Sequence, residues 1–266
     1  MADRQHVYLF YRQVPELTKK ATELSELAEK NGFNIVENHQ EANIIISIGG
    51  DGTFLQSVRK TGFRNDCLYV GLATKENLGM YCDFHIDEIS EMIAAMTDKH
   101  IKVRKYPTIK VNVDGEGTFY CLNEFSIRSG IIKTFALDVY IDDLHFETFC
   151  GDGMLIATPT GSTAYNKSVK GAVVDPLLPC LQVSEIASLN NNQFRTLDSS
   201  FILSGDRKLI FHVIQDGNDY PTMAMDNEAL SIQHVKKVEV QLSGEVIKTI
   251  KLKNNSFWHK VKRSFL

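Results

Sequence analysis

Three stretches of the chain gather side chains able to do chemistry. The first, IIISIGGDGTFLQSV from Ile44 to Val58, sets one carboxylate, Asp51, among Gly49, Gly50 and Gly52. Glycines there allow unusual dihedrals and remove side-chain bulk, so successive amide N–H groups and a following helix N-terminus can face an anion such as a phosphate. An acid in such a turn has two uses. Asp51 or Thr53 caps the following helix, or Asp51 accepts a proton from a hydroxyl attacking a phosphoryl group held by the neighbouring amides, with Mg²⁺ assisting. The turn is not GxGxxG, and no GxxxxGK[ST] occurs in the chain, which disfavours ordinary Rossmann and P-loop chemistry.

The second stretch, GDGMLIATPTGSTAYNKS from Gly151 to Ser168, concentrates Thr158, Thr160, Ser162, Thr163, Tyr165 and Ser168 with Gly161, Asn166 and the acid Asp152. Hydroxyls and amides on a tight loop can read sugar and base edges, and Tyr165 offers a ring for stacking on a planar heterocycle. A hydroxyl-rich loop with Thr163 as a helix cap is the structural alternative. GxSxG is absent, so a serine hydrolase has little support. The third stretch is Asn123-Glu124 in YCLNEFS. A glutamate carboxylate can accept from ribose hydroxyls, with the Asn amide completing the pattern. Neighbours in a regular strand point to opposite faces, so both reach one ligand only at a strand end or bulge. His85, His145, His212 and His234 show no paired metal-ligand spacing, and none is assigned a metal.

The elements that must position these residues change character near residue 100. Before it, HVYLFY reads as a strand, and Leu17, Ala21, Leu24, Leu27 and Ala28 share one helical face that stops at Asn31-Gly32. NIIISI is a strand whose continuous apolar run implies burial on both faces. A short helix through Phe54, Leu55 and Val58, the strand CLYVGLA, and a helix carrying Ile86, Ile89, Ile93 and Met96 complete an α/β unit. Beyond it the period drops to two. PTIKVNVDGEGTFYCLNEFSI reads as two strands around a turn, ALDVYIDDLHFETF as a hairpin bending at Asp142-Asp143, and KLIFHVI, ALSI and KVEVQL as further strands. DPLLPCLQVSEIASLNNN reads as a helix or irregular crossing. The tail, with Phe257, Trp258, Val261 and Phe265 at near-helical spacing after Asn255-Ser256, reads as a docked helix. The expected class is therefore α/β plus all-β: an α/β domain over residues 1–100, joined by a returning segment of about 250–266, and a β-rich domain over 101–249.

At 266 residues and 43% hydrophobic content the chain can bury a full core. A net charge of −4 gives no general attraction to nucleic acid or acidic membrane. Cys67, Cys82, Cys121, Cys150 and Cys180 are odd in number and widely spaced, which suggests buried thiols rather than a disulfide framework or metal clip. The apolar run in MADRQHVYLFYRQ is too short for a secretory segment, and no stretch approaches a membrane span, so a cytoplasmic protein is expected.

Taken in order, GGDGTFL, Asn123-Glu124-x-Ser126 and DGxxxATPTGSTAYNKS resemble the NAD kinase family over nearly the whole chain, and VSEIASLNNNQFRTL and MDNEALS fit it as well. GGDGT alone is shared with lipid kinases and phosphofructokinases. The resemblance implies transfer of a phosphoryl group from ATP, polyphosphate or another donor to the 2′-hydroxyl of the adenosine ribose of NAD, with a divalent cation such as Mg²⁺. It implies Asp51 as proton acceptor, Gly52 against the dinucleotide, and Asn123 and Glu124 on the adenosine ribose and neighbouring base. Thr163, Ala164, Tyr165, Asn166, Lys167 and Ser168 would line the adenine side. Asp152 and Ala187 would contact the nicotinamide half across a subunit boundary in a homotetramer, and Asn227 occupies a weaker matching position. Where many relatives read NxGxLGFL, this chain has Thr74, Lys75, Glu76, Asn77, Leu78, Gly79, Met80 and Tyr81, and Cys150 precedes GDG where some carry a basic residue. Such departures suit a second, differently regulated copy of the enzyme. A lipid or sugar kinase and a non-catalytic NAD(H)-binding regulator are the competing functions. The NAD-type third motif disfavours the former, and retention of Asp51 the latter.

Overall fold

Alternating apolar runs and amphipathic segments in the first part of the chain build a parallel sheet flanked by helices. The structure is a computed structural model that describes residues 5–97, 101–214, 221–232, 234–252 and 255–266, so residues 1–4 of the N-terminal stretch read above lie outside it. It divides into two compact units, Met1–Tyr106 with Val246–Leu266, and Pro107–Glu245.

The first unit contains β1 (His6–Tyr11), α1 (Pro15–Lys30), β2 (Asn34–Ile35), β3 (Ile44–Ile48), α2 (Asp51–Lys60), β4 (Leu68–Ala73), β5 (Cys82–His85) and α3 (Ile89–Thr97). The strands run in the order β2-β1-β3-β4-β5, every pairing parallel. Every residue of β3 and β4 is buried, which is why both read as unbroken apolar runs. Ala21, Leu24 and Ala28 of α1 supply the helical cover. In open parallel sheets, ligands bind beyond the carboxyl ends of the strands, and the GGDG turn follows the carboxyl end of β3.

The chain continues through β6 (Ile101–Val113) into the second unit, with β7 (Gly117–Cys121), β8 (Glu124–Arg128), β9 (Phe135–Ile141), β10 (Leu144–Gly151), β11 (Gly153–Ala157), a one-turn helix α4 (Tyr165–Ser168), β12 (Cys180–Ile186), β13 (Phe201–Ser204), β14 (Lys208–Val213), β15 (Thr222–Met225) and β16 (Glu228–Ser231). The long β17 (Lys237–Leu252) returns to the first unit, where Thr249 pairs with Tyr69, and the chain ends in α5 (Phe257–Phe265). In the second unit one antiparallel sheet has the order β13-β12-β11-β8-β15-β16; the other carries β10-β9-β14-β17, with β6 pairing β17 and β7. Inward residues of both sheets form one apolar core, among them Phe125, Ile156 and Val183 from the first and Val139, Phe211 and Val240 from the second.

Three expectations change. The stretch 107–127 holds three strands rather than two, because the chain breaks at Leu122-Asn123 before β8 begins. Cys180–Ile186 is a strand and not a helix: Leu181 and Val183 alternate into the core while β12 pairs with β11 and β13. The tail is helical, with Ser256 capping it by accepting from the His259 amide, but it buries Phe257 and Lys260 and leaves Trp258 and Phe265 exposed. All five cysteines are buried and free. Among the described residues no helix is long and apolar enough to cross a membrane.

Candidate active site

Asp51 is the first residue of α2, and the residue before it, Gly50, caps the helix with no side-chain bond. The carboxylate turns away from its own helix. Its Oδ2 accepts from the Met80 amide at 2.7 Å and its Oδ1 from the Tyr81 amide at 2.8 Å. Asp51 is therefore not the helix cap. Each oxygen keeps a further lone pair for another donor. Gly79 makes this approach possible: its φ is +66°, and a Cβ there would stand 2.6 Å from Oδ1 and 2.7 Å from Oδ2. The ring of Tyr81 is stacked on Phe54 of α2 at 4.8 Å and meets Tyr106 edge-on at 5.6 Å, contacts worth about 0.5–1.5 kcal/mol each beyond burial. Beneath the turn, the Cys82 thiol donates to the Gly49 carbonyl at 3.6 Å; burial pushes it up to about 12, and the Asp51 charge adds to this. Gly52 is exposed in the first turn of α2.

In the second unit, Glu124 is the first residue of β8 and Asn123 the residue before it, a strand-end position of the kind their shared use needs. A residue the sequence did not single out places them. Asp226, at φ +54° in the two-residue turn between β15 and β16, aims its carboxylate at the amides of Leu122 (3.0 Å), Asn123 (2.7 Å) and Glu124 (3.3 Å). The Asp-Asn pair between two short strands in MDNEALS is the signal that points to this turn. Glu124 is 8% exposed, and its Oε2 has no hydrogen-bond partner among the described residues. Burial, then the neighbouring Asp226 charge, push its carboxyl up to about 8, with the Tyr165 amide opposing.

The hydroxyl-rich loop is tied directly to this strand end. Thr158 Oγ1 donates to the Leu122 carbonyl at 2.7 Å and accepts from the Gly161 amide at 2.9 Å, while the Thr158 amide donates to the Asn123 carbonyl. A Cβ at Gly161 would collide with the Asn123 carbonyl, so only glycine lets the two segments meet. Thr160 Oγ1 is a further buried oxygen without a partner among the described residues. Thr163 is buried and bonds back to the Thr160 carbonyl at 3.3 Å, and it caps no helix. Ala164 and Tyr165 are partly exposed; Arg128 donates to the Tyr165 hydroxyl at 3.0 Å and lies 6.0 Å from its ring centroid. Lys167 and Ser168 are exposed. Asn166 is fully buried, with its amide bonded to Ser162, Ala172 and Ser184, so it braces the loop from beneath.

Asp152 and Ala187 are exposed and adjacent: the Asp152 amide donates to the Ile186 carbonyl at 2.9 Å, where β11 pairs with β12. Asp152 also borders an open groove of about 570 Å³ lined by Arg128, Lys133 and Thr222. Asn227 is exposed beside Asp226 in the hairpin turn.

A lone acid fixed by backbone amides at the end of a parallel sheet suits proton removal from a hydroxyl, and a buried acid beside an aromatic, hydroxyl-rich loop suits a nucleoside. The class these define is a kinase acting on a small nucleotide. The family described as ATP-NAD kinase C-terminal domain matches residues 122–252. A protein named NAD kinase 2 from Bacillus subtilis (strain 168) is 64% identical over 263 residues, covering 99% of this chain and 98% of its own. NAD kinase 2 from Halalkalibacterium halodurans is 57% identical over 266 residues, covering all of both chains. In fold, the chain is similar to yeast NADH kinase complexed with NADH, with a TM-score of 0.83 at 17% identity over 97% of this chain and 86% of that one. It is also similar to an NAD kinase from Archaeoglobus fulgidus in complex with ATP, with a TM-score of 0.74 at 20% identity over 97% and 99%. The chain belongs to the NAD kinase family, and its activity is the phosphorylation of NAD.

Proposed function

We propose that Asp51 takes the proton of the 2′-hydroxyl of the adenosine ribose as that oxygen attacks the terminal phosphorus of ATP. The new O–P bond forms as the bond from that phosphorus to its bridging oxygen breaks, leaving ADP and NADP; Asp51 then returns the proton to solvent. The observation that carries this role is the orientation of Asp51, whose carboxylate is fixed by the Met80 and Tyr81 amides and not spent on capping α2. The second unit supplies the nucleoside readers. Since the 2′-hydroxyl has one proton, given to Asp51, Glu124 accepts from the 3′-hydroxyl and a neighbouring base N–H, with Asn123 alongside. Thr163, Ala164 and Tyr165 line the adenine; Asn166 supports that loop.

A divalent cation is expected from the family. Among the described residues no three His, Cys, Asp or Glu side chains are grouped to cage one. Such an ion fits the donor's phosphates and water better than a site built by this chain alone, and when bound it would offset the donor's negative charge. No step is assigned to it. Asp152 and Ala187 of one copy serve the nicotinamide half in a neighbour within a homotetramer; their exposure, with that of Leu189 nearby, supports this.

Asp51→Asn tests the central role. It preserves shape and removes the basic carboxylate, so kcat should fall by roughly 10²–10⁴ while NAD binding survives. A near-normal kcat would remove Asp51 from the chemistry.

A further inference from the structure

We infer that the last helix, α5, positions Asp51 through two consecutive peptide groups, with Lys260 and Arg263 as the residues that hold them. The inference rests on Asp51 being the proton acceptor. The peptide joining Gly79 to Met80 offers its carbonyl to Arg263 Nη2 at 2.8 Å and its N–H to Asp51 Oδ2 at 2.7 Å. The next peptide, Met80 to Tyr81, offers its carbonyl to Lys260 Nζ at 2.8 Å and its N–H to Asp51 Oδ1 at 2.8 Å. A peptide group is planar, with its carbonyl and N–H pointing in opposite directions. Each therefore works as a rigid link, with a cation of α5 on one side and one oxygen of the Asp51 carboxylate on the other. A charged donor on the carbonyl also strengthens the N–H on the far side.

Lys260 is an expensive way merely to fasten a helix. Its side chain is 0% exposed, and burial draws the ammonium down to about 8 against the opposing effect of Asp83, whose Oδ2 it meets at 2.9 Å. An apolar side chain of similar volume would pack the helix without that desolvation. Asp83 is itself fixed by Arg104 at 3.0 Å and Asn255 at 2.5 Å, so the ammonium is anchored on one side and directed at the Met80 carbonyl on the other. Phe257 already supplies buried apolar contact for α5.

The experiment is a double-mutant cycle read by NADP formation from NAD and ATP, with melting temperatures taken on each variant. Lys260→Met should lower kcat by about 10–100-fold, the scale on which small misplacements of a reacting group act, with KM for NAD within about twofold. Arg263→Ala, at an exposed position that leaves folding intact, should lower kcat about threefold, and Arg263→Lys should restore most of it. In the Asp51→Asn background both substitutions should become nearly silent, because residues acting through one group are not additive. Full kcat in folded Lys260→Met overturns the inference, as does an undiminished loss in the Asp51→Asn background. Should Lys260→Met fail to fold, Arg263→Ala decides alone, and wild-type kcat there overturns it. Retention of kcat by Asp51→Asn itself would instead defeat the role of Asp51.

Discussion

Two acids sit in opposite surroundings, one in each unit. Asp51 is half-exposed, with an amide already bonded to each of its oxygens. Glu124 is buried, with one oxygen lacking a partner among the described residues and its carboxyl raised to about 8. The first is held in one orientation by those amides, which is what the proposed proton acceptor needs. The second is left incomplete, and an uncompensated buried acid is stabilised when a ligand brings the missing donors. On the roles proposed above, orientation should govern kcat in the α/β unit and completion should govern affinity in the β unit.

The sharpest separation of the two is expected from Glu124→Ala. Loss of two hydrogen bonds to a charged acceptor should raise KM for NAD by roughly 100-fold with a smaller change in kcat, and unchanged NAD affinity would take Glu124 out of the site. Gly79→Ala should do the reverse. Its methyl would press on the Asp51 carboxylate in a backbone region unfavourable to alanine, so kcat should drop by at least about tenfold with NAD affinity nearly kept. Steady-state kinetics on both variants would break the comparison if each affected the same parameter.

A third test uses pH. If hydroxyls and N–H groups of NAD donate to the ionised Glu124, binding must expel its proton below about 8. NAD affinity should then rise by up to about tenfold per pH unit towards that value and level off above it. Calorimetry in buffers of different ionisation enthalpy would register proton release near pH 7, and its absence would count against ionised Glu124 as the acceptor. The smallest effect concerns stability. With its carboxyl raised from 4.5 to about 8 on folding, Glu124 keeps more protons in the folded chain than in the unfolded one across that interval, so its contribution to stability falls as pH rises through it. Glu124→Gln should flatten that slope and, at pH 9, melt a few degrees above the parent chain, roughly the shift expected for a kcal/mol-scale gain. Equal slopes would contradict the burial of an ionising group there.

Much of this was legible along the chain. The GGDG turn between a buried strand and a helix, the face of α1 and the hairpin at Asp142-Asp143 follow from apolar periodicity and turn chemistry, which are local. The supports of the site were not. Asp226 reaches amides about a hundred residues earlier, and no local pattern encodes that pairing. Lys260 was unreadable for another reason: a lysine in a short tail helix is ordinarily on the wet face, and here the Asp83 carboxylate and the Met80 carbonyl, which lie far off in sequence, make its burial tolerable. Trp258 and Phe265 misled in the opposite sense, since apolar type suggested burial where the helix presents them to solvent. Cys180–Ile186 was obscured by the prolines and leucines before it, although Leu181 and Val183 alternate as a strand should.

The hold of Asp226 on Leu122 and Asn123 also sets an order of events during folding. It closes a loop of 104 residues, a cost that grows only logarithmically with length but must be met before the contact gives anything back. During synthesis the amides of 122–124 emerge long before their carboxylate, so the strand end bearing Glu124 waits on the β15–β16 hairpin. Asp51 needs only residues 80 and 81 for its first two bonds and can form them much sooner. A refolding chain should therefore recover the two amide bonds of Asp51 before the strand end bearing Glu124, whereas the α5 contacts of Lys260 and Arg263 to the same peptides, 180 and 184 residues apart, come later.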